Sequence, residues 1–68
     1  MNKALLEYEI KRKGFTIDQV CKELGMSRSA FFRKCNGTSE FKQGEIIKII
    51  RLLDLDSPME IFFSDWVS

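Results

Sequence analysis

The sequence predicts an all-α protein, a compact bundle of about five short helices that contains a helix-turn-helix. Three observations predict it. Apolar residues recur at i, i+3, i+4 and i+7 rather than in alternation, most clearly in "EIIKIIRLLD". Capping residues and glycines punctuate the chain at short intervals, with Thr16, Ser27 and Ser57 at candidate starts and Gly14, Gly25 and Gly37 at candidate stops. Finally, only Gly25 and Met26 separate the end of one helical pattern from the next cap. So short a connection forces its two helices to cross sharply.

The elements follow in order. In "MNKALLEYEIKRKG" the pair Leu6 and Ile10 gives an apolar stripe, with Leu5 and Tyr8 beside it. Lys11, Arg12 and Lys13 suit the negative end of that helix, and Gly14 is a left-handed cap. "TIDQVCKELG" opens on Thr16 with Gln19 three residues on, a capping-box pattern. Val20, Cys21 and Leu24 form its stripe, and Gly25 ends it. The third helix runs from Arg28 to Cys35 or Asn36, with Phe31 and Cys35 on one face and Gly37 as the stop. "NGTSEFKQG" reads as a polar loop anchored by Phe41. In the fourth helix Ile46, Ile49, Ile50 and Leu53 face inward, Ile47 falls off the stripe, and Leu55 plugs the turn that follows. In "SPMEIFFSDWVS" Ser57 is a cap, Pro58 takes the first helical position and Glu60 completes a second capping box. So short a helix has one inward face, yet residues 57–68 carry Met59, Ile61, Phe62, Phe63, Trp66 and Val67. The surplus is either a partner surface or an end folded back over the core.

The 68 residues read as one domain, 1–68, with no linker or repeat. A core this small needs well-packed helices or a partner subunit. With two cysteines, Cys21 and Cys35, no CxxC pair and no histidine, the chain predicts neither a metal site nor a disulfide scaffold. Both cysteines lie in apolar helical patterns and read as small core residues in a reducing cytoplasm. No apolar run approaches the ~18 residues of a membrane span. No nucleophile–base pair is legible either, so the expectation is a protein that is not an enzyme, with no cofactor, no metal and no small-molecule ligand.

The net charge of +1 conceals an asymmetry. Residues 1–34 hold eight cations against four acids, a net +4; residues 35–68 hold three against six, a net −3. Either one surface faces phosphates and another faces away, or the charges form a solvated mosaic. Within the basic half, "GMSRSAFFRKCNG" has three cations and no acid. Its neighbouring phenylalanines, Phe31 and Phe32, point about 100° apart on a helix, so one small core does not readily bury both.

Two helices joined by a tight glycine-containing turn need a small residue where they pass, a residue tolerating positive φ in the turn, and an apolar residue facing back into the core. Cys21, Gly25 and Phe31 supply these in order. On these residues, "GFTIDQVCKELGMSRSAFFRKCNGTSEF" resembles the lambda-repressor-like helix-turn-helix domains of the Cro and phage-repressor type, the XRE family. The likeness continues through "IIKIIRLLDLDSPMEIF" and covers residues 4–63, with the motif at about 16–36.

The resemblance implies a five-helix bundle that binds operator DNA as a homodimer, its second motif helix in the major groove. Carried over to this chain, base reading falls on Arg28, Ser29 and Arg33 with Phe32 alongside. Arginine grips guanine O6 and N7, and Phe32 either presses on a thymine methyl or packs against an adjacent helix or Trp66. Phosphate contacts fall on the hydroxyls of Thr16, Ser27 and Ser29 at helix N-termini, and on Lys34, Asn36, Thr38, Ser39 and Lys42 in or beside the following loop. Lys11 to Lys13 lie near the DNA flank. Met59, Phe63, Trp66 and Val67 are the expected dimer interface. Two residues depart from the family pattern. Ile17 stands where a phosphate-binding glutamine is common, and Lys34 stands where an apolar residue is usual, so Cys35 is expected to take the buried place.

The functional expectation is a sequence-specific DNA-binding regulator, a Cro-like repressor on a near-palindromic operator, in a bacterial cytoplasm or phage-infected cell. The 68 residues are expected to leave no room for a separate effector domain, which favours a Cro-like regulator over a full inducible repressor. The alternative is a protein-interaction module, an antitoxin or antirepressor, that uses the apolar C-terminal segment.

Overall fold

The computed structural model describes residues 1–65. Five helices, and no strand, are formed among these residues: α1 Lys3–Arg12, α2 Ile17–Leu24, α3 Arg28–Cys35, α4 Gln43–Leu53 and α5 Pro58–Phe62. The all-α bundle expected from the periodicity is what the chain forms. Its principal extents are 32 × 25 × 20 Å.

The core takes the stripe residues of every helix. Leu6 and Ile10 of α1, Val20, Cys21 and Leu24 of α2, Phe31 and Cys35 of α3, Ile49 and Leu53 of α4, and Ile61 of α5 are all buried. Phe31 is the largest side chain wholly withdrawn from solvent and sits at the centre of an aromatic row. Phe32 meets it edge-on at 5.7 Å between ring centres, Phe41 meets it at 5.9 Å, and Phe41 in turn meets Phe62 at 5.9 Å. Phe41 thus anchors its loop between α3 and α5, and edge-to-face pairs of this kind add to simple area burial. Ile47 lies off the α4 stripe and is exposed. Tyr8, placed beside the α1 stripe from its spacing, is 59% exposed, because the stripe spans only Leu6 and Ile10 with Leu5 at its edge.

Local chemistry sets the helix ends. Asn2 caps α1 through its side-chain oxygen, a start the sequence reading missed. At α2 the Thr16 box is complete, with Gln19 N–H donating to Thr16 Oγ1 at 3.1 Å and Thr16 N–H donating to Gln19 Oε1 at 2.8 Å. Ser27 Oγ accepts from Ala30 N–H at 3.1 Å and caps α3. The second box, expected at Ser57 and Glu60, does not form. Thr16 and Ser27 hold ψ at 162° and 161°, which brings the hydroxyl over the first turn, whereas Ser57 holds ψ at 64°. Glu60 N–H donates to the Ser57 carbonyl instead, at 3.2 Å.

The stops fall at Gly14, Gly25 and Gly37, with φ of 83°, 68° and 84°. At Gly25 the left-handed backbone lets Met26 N–H reach back to the Cys21 carbonyl at 3.0 Å, closing α2 in a Schellman turn. Asp54 plays the same part after α4 with φ 49°, and Leu55 N–H donates to the Ile50 carbonyl at 3.1 Å. The N-terminal backbone and α5 are joined by Asn2 N–H donating to the Ile61 carbonyl at 2.7 Å.

Candidate nucleic-acid interface

Three residues separate the end of α2 from the start of α3, and all three requirements of the tight helix pair are met. Cys21 is buried, Gly25 is left-handed and Phe31 faces the core. With Phe31 and Cys35 inward, Arg28, Ser29 and Arg33 are all exposed. Ser29 and Arg33 stand one turn apart on the outward face; Arg28 and Phe32 form a second i, i+4 pair beside it. The first turn of α3 holds no acid, and its last turn holds Arg33 and Lys34. Among the described residues Arg33 makes no ion pair.

Arg28 departs from the acid-free face expected of it. Its Nη1 donates to Asp18 Oδ1 at 3.1 Å, and both side chains remain more than half exposed. The acid comes from the first turn of α2, where a negative charge suits the helix dipole. The sharp return of the chain brings it to Arg28 across ten positions of sequence.

Phe32 is half-buried. Its ring lies edge-on to Phe31 and carries two cations, Lys3 Nζ at 5.4 Å and Arg28 Cζ at 5.8 Å from the ring centre. The neighbour is Lys3 of α1, a residue the sequence reading did not select. Lys3 Nζ also donates to Asn36 Oδ1 at 3.1 Å, so Asn36 is tied to α1 while its backbone caps α3. Nothing in the local pattern of α1 marks Lys3, because the contact arises only when α1 and α3 pack.

The expected phosphate-contacting residues divide. Thr16, Ser27, Asn36, Thr38 and Lys42 are exposed, although the Thr16 and Ser27 hydroxyls already accept cap bonds. Ser39 is half-buried. Lys34 is turned away from solvent: its side chain is 15% exposed, and Nζ bonds both oxygens of Glu45, at 2.6 and 2.8 Å. The place of Lys34 as an outward phosphate contact is thereby corrected. Cys35 takes the buried position, as expected, and Lys34 lies at the edge where only a partnered charge is tolerated.

Of the expected dimer residues, Met59 and Phe63 are 53% and 39% exposed, and Trp66 and Val67 lie outside the described residues. Phe63 is one of the residues lining an open groove of about 350 Å³, with Phe41, Ile46 and Phe62 beside polar and charged neighbours such as Lys34 and Glu40. Both cysteines are free and buried. Burial pushes the Cys35 thiol up to about 11, and burial is also the main cause raising Cys21. Among the described residues no cluster of His, Cys, Asp or Glu could hold a metal ion, and no helix is long and apolar enough to cross a membrane. No family model, curated protein or solved structure matches the chain.

Proposed function

We propose that this chain is a sequence-specific DNA-binding transcriptional regulator of the lambda-repressor-like kind. It acts as a Cro-like repressor that binds a near-palindromic operator as a homodimer, in a bacterial cytoplasm or a phage-infected cell. One observation carries the reading: α3 follows a three-residue turn and presents Ser29 and Arg33 outward, with no acid in its own sequence. A helix so mounted fits a major groove about 12 Å wide, and an exposed arginine supplies the bidentate donor that guanine accepts. The resemblance over residues 4–63 supports the same reading. Exposed Thr38 and Lys42 lie in the loop after α3, suited to the adjoining backbone.

A domain of this size buries on the order of 600–1,000 Å² against DNA, and a second copy doubles the contacts over half-sites one helical turn apart. Exposed Met59 and Phe63 are the apolar residues offered for that pairing. They equally favour a second reading, a protein-interaction module such as an antitoxin or antirepressor.

Selection of bound sequences from random duplex DNA tests the proposal. The expected product is a near-palindrome bound more tightly than micromolar, with affinity falling steeply as salt rises. Binding that ignores sequence, or an interaction with protein alone that salt leaves unchanged, favours the second reading.

A further inference from the structure

Arg28 is held from two sides. Asp18 of α2 accepts from its Nη1 at 3.1 Å, and the Phe32 ring, one turn along α3, lies 5.8 Å from its Cζ. That ring is not free to follow the guanidinium, because it stands edge-on to the buried Phe31 and carries Lys3 on it as well. A surface arginine ordinarily samples many rotamers and can meet a phosphate or any acceptor within reach. This one is restrained by a carboxylate anchored in a helix turn and by an aromatic plane anchored in the core.

From this arrangement we infer that Asp18 is a positioning residue for specificity: it fixes Arg28 to read one base pair. The inference rests on the DNA-binding reading above. A guanidinium carries five N–H donors in a planar fork. The bond to Asp18 engages Nη1 and leaves Nε and Nη2 for the O6 and N7 of a guanine. The carboxylate also places a negative charge at a face otherwise built to meet phosphates, which weakens attraction to any duplex regardless of sequence. Asp18 therefore trades general affinity for discrimination. Both partners are mostly exposed, 58% and 68% by side chain, so their pairing contributes little to fold stability. Its replacement can then be read in DNA binding without loss of the fold.

The test measures wild type, Asp18→Ala, Asp18→Asn, Arg28→Ala and the double variant Asp18→Ala/Arg28→Ala. Each is titrated at one salt concentration against the selected duplex, against versions altered one base pair at a time, and against random duplex. Asp18→Ala is expected to lower preference at a single base pair by about 5- to 10-fold, the pair that Arg28→Ala also flattens. Binding to random duplex should tighten in the same variant. Asp18→Asn, which keeps an acceptor without the charge, should retain most of the preference. In the Arg28→Ala background, Asp18→Ala should change preference no further. Full preference retained by Asp18→Ala, or an equal loss at every base pair, overturns the assignment while leaving DNA binding intact. A wild-type protein with no sequence preference overturns the DNA-binding reading and this inference together.

Discussion

Lys34 Nζ lies 2.6 Å from Oε1 and 2.8 Å from Oε2 of Glu45, an ion pair that ties the end of α3 to the start of α4. Glu45 also accepts the backbone N–H of Lys42 at 2.9 Å, so one carboxylate orders both ends of the loop between the two helices. Lys34 Nζ also stands over the Phe41 ring, 6.0 Å from its centre. The loop after α3 is therefore stapled by charge as well as by an aromatic anchor.

This pair makes stability depend on pH. Burial alone pushes the Glu45 carboxyl upward, but the hydrogen bonds from Lys34 and from Lys42 N–H, with the positive charges of both lysines, outweigh it and hold the group below its ordinary 4.5. A depressed carboxyl contributes stability that is complete above the unfolded value and is lost as pH falls through the folded one. Urea denaturation should show stability declining below pH 4.5, with Glu45→Gln flattening that part of the decline. Lys34→Met should destabilise by about 1–2 kcal/mol at neutral pH, because Glu45 loses its partner in a largely covered site. A Lys34→Met protein as stable as wild type rejects the staple.

The two left-handed turns at Gly25 and Asp54 give opposite expectations. A Cβ added at Gly25 meets nothing within 4 Å, so Gly25→Ala carries only the cost of φ 68°, about 1 kcal/mol of lost stability. Asp54 already bears that cost at φ 49° and sets an acid at the negative end of α4. Asp54→Gly should gain about 0.5–1 kcal/mol, read as a raised thermal midpoint. Its bond from Lys13 Nζ runs to the backbone carbonyl, at 3.2 Å, and survives the change.

Cys35 is buried and its thiol is pushed up to about 11 by burial, so it carries little thiolate in the folded protein near neutral pH. Alkylation of both cysteines should follow opening of the bundle and accelerate sharply in denaturant. The unfolded chain ionises Cys35 near its ordinary 9.0 while the fold keeps it neutral, so stability should fall between pH 9.0 and about 11. Rapid stoichiometric alkylation of the native protein at pH 7 contradicts this placement.

Met59 and Phe63 stand exposed on and after α5, with Phe63 lining the same groove as Phe41, Ile46 and Phe62. On the proposed homodimer reading, the wild-type chain should sediment as a dimer and Met59→Ser with Phe63→Ser as a folded monomer, with weaker binding to the selected duplex and unaltered base preference. An intact dimer assigns the interface to other residues.

Local signals revealed the helices but not their partners. Stripe spacing placed Leu6, Ile10, Phe31, Ile49 and Leu53 inside, and each is buried, because periodicity alone decides which face of a short helix is apolar. Caps were legible where the side chain and the extended backbone agree, at Thr16 and Ser27, and misleading at Ser57, where ψ of 64° turns the hydroxyl away. In the candidate site, the exposure of Arg28, Ser29 and Arg33 followed from the position of Phe31 on the same helix. The pairing of Arg28 with Asp18, of Lys34 with Glu45 and of Lys3 with Phe32 did not. Each joins different helices, and sequence spacing carries no record of such meetings.

The outward face of α3 is tested most directly by Arg33→Ala, titrated against the selected duplex and its single-base-pair variants. Arg33 is exposed, so the fold should remain intact. The expected result is a loss of about 1–3 kcal/mol in binding, with preference relaxed at one base pair and retained at the others. Unchanged affinity and an unchanged base-preference profile would contradict the entry of α3 into the major groove.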